Sequence, residues 1–256
     1  MVKKRIPIIY ILPNLFTISS LVLGIYAIIS ASSGTVIGLI NAGIAICFSI
    51  LFDSMDGRVA RLTKTESLFG MQLDSLADLV AFGVAPAFLL YKWGLEKVGI
   101  LGIAAAAMFA TCGALRLARF NVIALKNSKQ SSQYFIGLPI PGGAGIVVSL
   151  FLTLNHSRTQ SDLNLLDTPI NMVILTAIVA YLMVSNIRYP TFKHIRPTPR
   201  NFSFTVLILM ATVYVAVVVN LPVALFSLIS IYTLLGPLME IMFYKKRKEE
   251  VTKEEY

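Results

Sequence analysis

Residues 35–91 read TVIGLINAGIAICFSILFDSMDGRVARLTKTESLFGMQLDSLADLVAFGVAPAFLLY. Two long apolar runs flank a short polar centre that carries Asp53, Asp56, Asp74 and Asp78. A membrane-spanning helix needs about 20 mostly apolar residues, and each flank supplies close to that. Neither run alternates apolar with polar residues, as a strand of a membrane barrel would. Backbone groups in lipid must be satisfied within the segment, so both runs predict helices. The fold is therefore expected to be that of an all-α integral membrane protein.

The rest of the chain agrees. Of 256 residues, 56% are hydrophobic and 14% charged, and the mean hydropathy is +0.77. A soluble domain carries about 25% charged residues. This composition excludes a disordered chain, a coiled coil and an ordinary soluble enzyme. Eight spans are expected, at 8–31, 35–54, 70–91, 98–118, 136–154, 168–187, 203–219 and 222–243. The N-terminal MVKKRIPIIY has the look of a signal-peptide start, but no small-residue cleavage site follows, so it reads as part of a retained first helix. Cys47 and Cys112 both lie in apolar runs and have no metal-binding spacing.

Lys and Arg set the orientation. With both termini in the cytoplasm, 19 of the 22 Lys and Arg fall on the inner side, leaving Lys92, Lys97 and Arg158 outside. The net charge of +9 then belongs to inner loops and anionic lipid headgroups, not to nucleic acid. The expected location is the plasma (inner) membrane. The tail KKRKEEVTKEEY, residues 245–256, reads as a solvated anchor at its surface. The Gly/Ala-rich stretches IGLINAGIAI and ILGIAAAAMFATCGA suggest close helix packing and a homodimer.

The acids carry the chemistry. A carboxylate at membrane depth is costly and marks a functional site by default. Asp53 and Asp56 are three apart, and Asp74 and Asp78 four apart, so each pair shares one helical face. The short connection sets both pairs at one depth on the cytoplasmic side. Such a cluster repels itself unless divalent cations bind or a proton is shared. Oxygen-only donors favour Mg²⁺ or Mn²⁺, and Mg²⁺ combines one or two carboxylates with substrate phosphates. Gly57, Ala60 and Gly70 place small residues between the acids, where a ligand could approach the backbone. The alternative for the acids is a salt-bridge network with Arg58, Arg61 and Lys64. The alternative for each glycine is ordinary helix packing.

Residues 53–78 fit D-x₂-D-G-x₂-A-R-x₈-G-x₃-D-x₃-D at all eight fixed positions. This resembles the signature of the CDP-alcohol phosphotransferases, membrane enzymes of phospholipid synthesis. The surrounding FDSMDGRVARLT, LDSLADLVAFGVAPA, RLARFN and GLPIPGGAG resemble the phosphatidylserine synthase branch of that family. The resemblance covers about 8–200. It implies a six-helix core at 1–200, followed by two additional helices at 201–244.

The resemblance also implies roles. Asp53, Asp56, Asp74 and Asp78 would hold Mg²⁺ or Mn²⁺ against the pyrophosphate of CDP-diacylglycerol, with Asp78 also acting as general base. Gly57, Ala60 and Gly70 would admit the nucleotide, Arg61 would lie near the phosphates, and Asn14 would stand on the nucleotide wall. The phosphatidyl group would pass to the hydroxyl of L-serine, releasing CMP. Arg116, Arg119 and Arg188 are candidates for the serine carboxylate, since a guanidinium fork suits that group, and Asn121 could add a polar contact. For each arginine, an anchoring role at the membrane surface reads equally well.

Three other readings stay open. The acceptor could be glycerol 3-phosphate, inositol phosphate or choline. The acids could form an ion path in a transporter, although they sit at one edge and no internal repeat appears. A prenyltransferase would use two separated Asp motifs, but beyond residue 78 the only acid in a predicted span is Glu240.

Overall fold

The computed structural model describes residues 11–65, 67–126, 134–157, 168–190 and 221–254. Helix α1 runs Ile11–Ser32, α2 Val36–Thr63, α3 Leu68–Asp78, α4 Ala85–Trp93, α5 Ile100–Lys126, α6 Ile140–Ser157, α7 Pro169–Val184 and α8 Leu221–Glu254. A π-helical turn, Leu79–Val84, joins α3 to α4, and a 3₁₀ turn, Leu95–Val98, precedes α5. Among the described residues, five stretches are long and apolar enough to cross a membrane: Leu12–Ser32, Val36–Thr63, Leu68–Trp93, Ile100–Ala124 and Leu221–Glu240. Ile140–Asn155 and Pro169–Val184 are shorter apolar helices. The protein is an all-α membrane protein, with one short ladder of two strands among the described residues. The span expected at 203–219 lies outside the described residues.

The second helix is longer than hydropathy predicts. It was expected to end at 54 and continues to Thr63. Nothing in GRVARLT breaks a helix, because the bonds that hold it are local and its side chains tolerate water. The stop comes at Lys64, whose φ of 55° is left-handed and whose N–H reaches the carbonyls of Ala60 and Arg61. Ser67 then caps α3 by accepting from the Gly70 amide at 2.9 Å. Two tight caps thus bound the turn between the acid-bearing helices.

The span predicted at 70–91 is not one regular helix. Pro86, near the start of α4, has no N–H to give the carbonyl four residues back. The Ala85 amide bonds Val80 instead, five residues back, which widens the turn. That wide turn begins immediately after Asp78. Helix α1 packs closely against it: a Cβ on Gly24 would stand 2.7 Å from Ala81 Cα, so only glycine allows this approach.

The core gathers side chains from α1, α2, α4, α5, α6 and α7. Phe82, Leu89, Leu90, Leu95, Phe109 and Phe151 are fully buried there. Trp93 packs edge-on against Phe151 with centroids 5.1 Å apart.

The helix expected from 136 starts at Ile140. Residues Tyr134–Ile136 form strand β1, paired antiparallel with β2, Arg188–Pro190, with Phe135 opposite Tyr189. Gly137 makes the exit from β1 with φ +78°, where a Cβ would collide with the Met183 carbonyl. Helix α8 docks on this ladder, as Tyr189 is fully buried and its hydroxyl donates to the Thr233 carbonyl at 3.3 Å.

Candidate active site

Helices α2 and α3 present their acids to one another beside a cleft of about 600 Å³. One carboxylate oxygen from each of Asp53, Asp56 and Asp74 lies within 4.8 Å of the others. Asp53 also approaches Asp78, which ends α3. Three bare carboxylates at this spacing repel by ~3 kcal/mol per pair at an effective dielectric constant of about 20. Among the described residues none of the four aspartates forms an ion pair; the pair present is Lys92–Glu96 at 3.1 Å, four residues apart on another surface. The salt-bridge alternative is therefore absent from the geometry.

The donor set suits a hard divalent cation. It is all oxygen, it comes from two helices, and among the described residues no His or Cys joins it. Asp78 adds a second indication: its Oδ1 is buried and accepts no hydrogen bond. A buried carboxylate oxygen normally has a partner, and a cation or a proton-bearing substrate group would supply one.

Other residues expected at the site line the cleft. Asn14, Gly57, Ala60, Arg61, Gly70, Asp56 and Asp74 all face it. Arg61 folds back over Gly57, with its Nη1 3.5 Å from where a Cβ on residue 57 would stand. Asn14 Oδ1 lies 3.5 Å from the equivalent point on Gly70. Gly57 on the α2 wall and Gly70 on the α3 wall each lie in contact with a polar side chain. Phe120 and Ala124, near the end of α5, extend the lining.

The arginines separate. Arg116 is buried, 8% exposed, with its Nε unpartnered and its guanidinium 5.9 Å from the Phe120 ring centroid. It faces Asp78 and Tyr232 electrostatically. Arg119 points elsewhere. Its Nη1 donates to the Val184 carbonyl at 3.1 Å and to Asn186 Oδ1 at 3.2 Å. Its Nη2 donates to the carbonyls of Ile136 at 3.3 Å and Ser185 at 3.2 Å. That fork ties α5 to β1 and to the end of α7. Arg188 lies exposed on β2, with its backbone N–H donating to Glu240 Oε2 at 3.4 Å. Asn121 Nδ2 donates to Ser75 Oγ at 2.8 Å, which braces α3 between Asp74 and Asp78.

Arg119→Ala is expected to cost ~1.5–3 kcal/mol of stability, the range for hydrogen bonds from a charged group. Thermal unfolding in detergent measures it. A large rise in the KM for one substrate at unchanged stability would show that Arg119 binds substrate instead.

Two residues near the acids were missed in the sequence. Thr17 and Ser75 both hydrogen-bond at the cluster's edge. Thr17 lies three residues after Asn14 on α1, and Ser75 stands beside Asp74. Helical spacing was a usable signal for the first.

Comparison with known proteins agrees with this geometry. The family described as CDP-alcohol phosphatidyltransferase matches residues 10–185. A CDP-diacylglycerol–serine O-phosphatidyltransferase of Helicobacter pylori is 39% identical over 242 residues, covering 93% of this chain and 97% of the relative. An enzyme of the same name from Methanocaldococcus jannaschii is 42% identical over 156 residues, 61% of this chain and 67% of its own. Another from Bacillus subtilis is 37% identical over 183 residues, 71% and 91% respectively. The match spans all four aspartates, both small-residue walls and the helices that hold them, and this chain belongs to the CDP-alcohol phosphatidyltransferase family.

Proposed function

We propose that this protein transfers the phosphatidyl group of CDP-diacylglycerol to L-serine, giving phosphatidylserine and CMP. The observation that carries the reading is the three-aspartate cluster, held within 4.8 Å, two of whose members, Asp56 and Asp74, line a cleft of about 600 Å³. The names of the relatives support serine as the acceptor.

Gly57, Ala60 and Gly70 line the part of the cleft that accepts the cytidine nucleotide, with Asn14 on the α1 side and Arg61 at the phosphates. Asp53, Asp56 and Asp74, with Asp78 behind them, would hold Mg²⁺ or Mn²⁺. Such an ion, when bound, supplies charge neutralisation on the pyrophosphate and the leaving CMP. Asp78 accepts the proton of the serine hydroxyl as its oxygen forms a bond to the lipid-bearing phosphorus. The bond from that phosphorus to CMP breaks, and CMP takes the electron pair.

Arg116 is the proposed partner of the serine carboxylate. It is a buried cation within electrostatic reach of Asp78 with an unpartnered Nε, which suits a carboxylate whose neighbouring hydroxyl is held toward Asp78. Asn121 fixes α3 behind the acids. Arg119 and Arg188 act at the rim, through the ladder that frames the acceptor side. Arg116→Ala is expected to raise the KM for serine at least tenfold, as loss of a charge-assisted pair of about 1.5–3 kcal/mol requires, with little change in the KM for the lipid. Equal changes in both would make Arg116 structural.

We also place the protein in the plasma membrane, and the charge distribution supports termini and cleft on the cytoplasmic side. Ala104, Ala107 and Thr111 lie exposed along one face of α5. Small residues at that spacing support close packing with a second copy as a homodimer.

CMP release by the purified protein tests the reading. L-serine, glycerol 3-phosphate, inositol phosphate and choline are supplied in turn with CDP-diacylglycerol, with and without Mg²⁺ or Mn²⁺. Release that requires serine and metal is expected. Release with a different acceptor alone would overturn serine as substrate, and no release with any acceptor would overturn the transferase.

A further inference from the structure

Thr17 belongs to no motif, and its helix α1 contributes no acid. Its hydroxyl donates to Asp56 Oδ2 at 2.7 Å. Both side chains are buried, at 4% and 7% exposure. The Pro13 carbonyl is a second acceptor in reach, at 3.3 Å. A hydroxyl has one proton to give, and a short bond to an ionised oxygen is the stronger of the two. The bond therefore belongs to Asp56.

One helical turn further along α1, Ser20 meets Ser49 of α2 with hydroxyls 2.7 Å apart, and Ser49 Oγ also reaches the Ser20 carbonyl at 3.0 Å. Two buried hydroxyl contacts thus join α1 to α2. Only that of Thr17 touches an acid.

We propose that Thr17 is a positioning residue for the metal site. Its hydroxyl occupies Oδ2 of Asp56, locks the plane of the carboxylate, and leaves the other oxygen to the cation shared with Asp53 and Asp74. The inference rests on the reading of these aspartates as cation ligands. Groups that orient a ligand from behind alter metal affinity about 10–100-fold when removed. A contact that only joined two helices would not.

Mn²⁺ binding to the full-length protein in detergent, without substrate, tests this by electron paramagnetic resonance. Wild type is compared with Thr17→Val, Thr17→Ser, Ser49→Ala and Asp56→Ala, with thermal unfolding of each. Thr17→Val should weaken Mn²⁺ binding about tenfold. Thr17→Ser, which keeps the hydroxyl, should restore it, and Ser49→Ala should leave it unchanged even where both helix contacts cost stability. Wild-type affinity in Thr17→Val, with binding lost in Asp56→Ala, would overturn the proposal and keep the metal reading. An equal loss in Ser49→Ala would reduce Thr17 to helix packing. No Mn²⁺ bound by the wild type would overturn both.

Discussion

Asp78→Asn is expected to lower serine-dependent CMP release by about 10²–10⁴-fold, the usual contribution of a positioned acid or base. The amide matches the carboxyl in size but cannot take a proton from an attacking hydroxyl. Nothing else in the neighbourhood should change much. Asp78 Oδ1 accepts no hydrogen bond, and the residue ends α3 without capping it, so no cap is lost. Binding of CDP-diacylglycerol, followed by thermal protection, should stay within a few-fold of wild type. Turnover that survives the substitution would place the base elsewhere. Loss of lipid binding alongside turnover would make Asp78 chiefly a ligand.

Asp56→Ala is expected to remove both Mn²⁺ and nucleotide binding. Asp56 is the most buried of the three clustered acids and also faces the cleft. It thus joins the metal site to the nucleotide wall. Groups behind a ligand are worth 10–100-fold in affinity, so losing the ligand itself should exceed about 100-fold. The fold should tolerate the change, because Thr17 retains the Pro13 carbonyl at 3.3 Å as acceptor and removal of one acid relieves repulsion within the cluster. A Mn²⁺ titration of the purified variant decides it. Unchanged affinity would overturn the role of Asp56 as ligand, whatever happens to activity.

Both predictions use residues that could be found without coordinates. The acids were legible because helical spacing is local. Three or four residues apart on a helix means one face, whatever surrounds it. The spans were legible because lipid imposes length and apolarity on each segment separately. Errors fell at the ends, where hydropathy and helix formation part company. Helix α2 runs past its apolar stretch to Lys64, since its backbone bonds do not require apolar side chains. The span at 70–91 conceals a π turn, set by Pro86 and by the close approach of α1 at Gly24.

Pairings between helices were not legible. Arg116 and Arg119 stand three apart on α5 and look equivalent as text. The fold turns Arg116 toward Asp78 and spends the Arg119 fork on three main-chain carbonyls and Asn186. Thr17 reads as one hydroxyl among several on α1 until α2 is packed beside it. By itself, the sequence determined the membrane class, the helices and the face on which the acids lie, because each follows from interactions within a few residues along the chain. The tertiary structure alone decided which polar groups meet, because apolar helices offer many nearly equivalent faces to one another. The choice among them depends on close approach and hydrogen bonding across residues far apart in sequence, such as Thr17 and Asp56 or Arg119 and Val184.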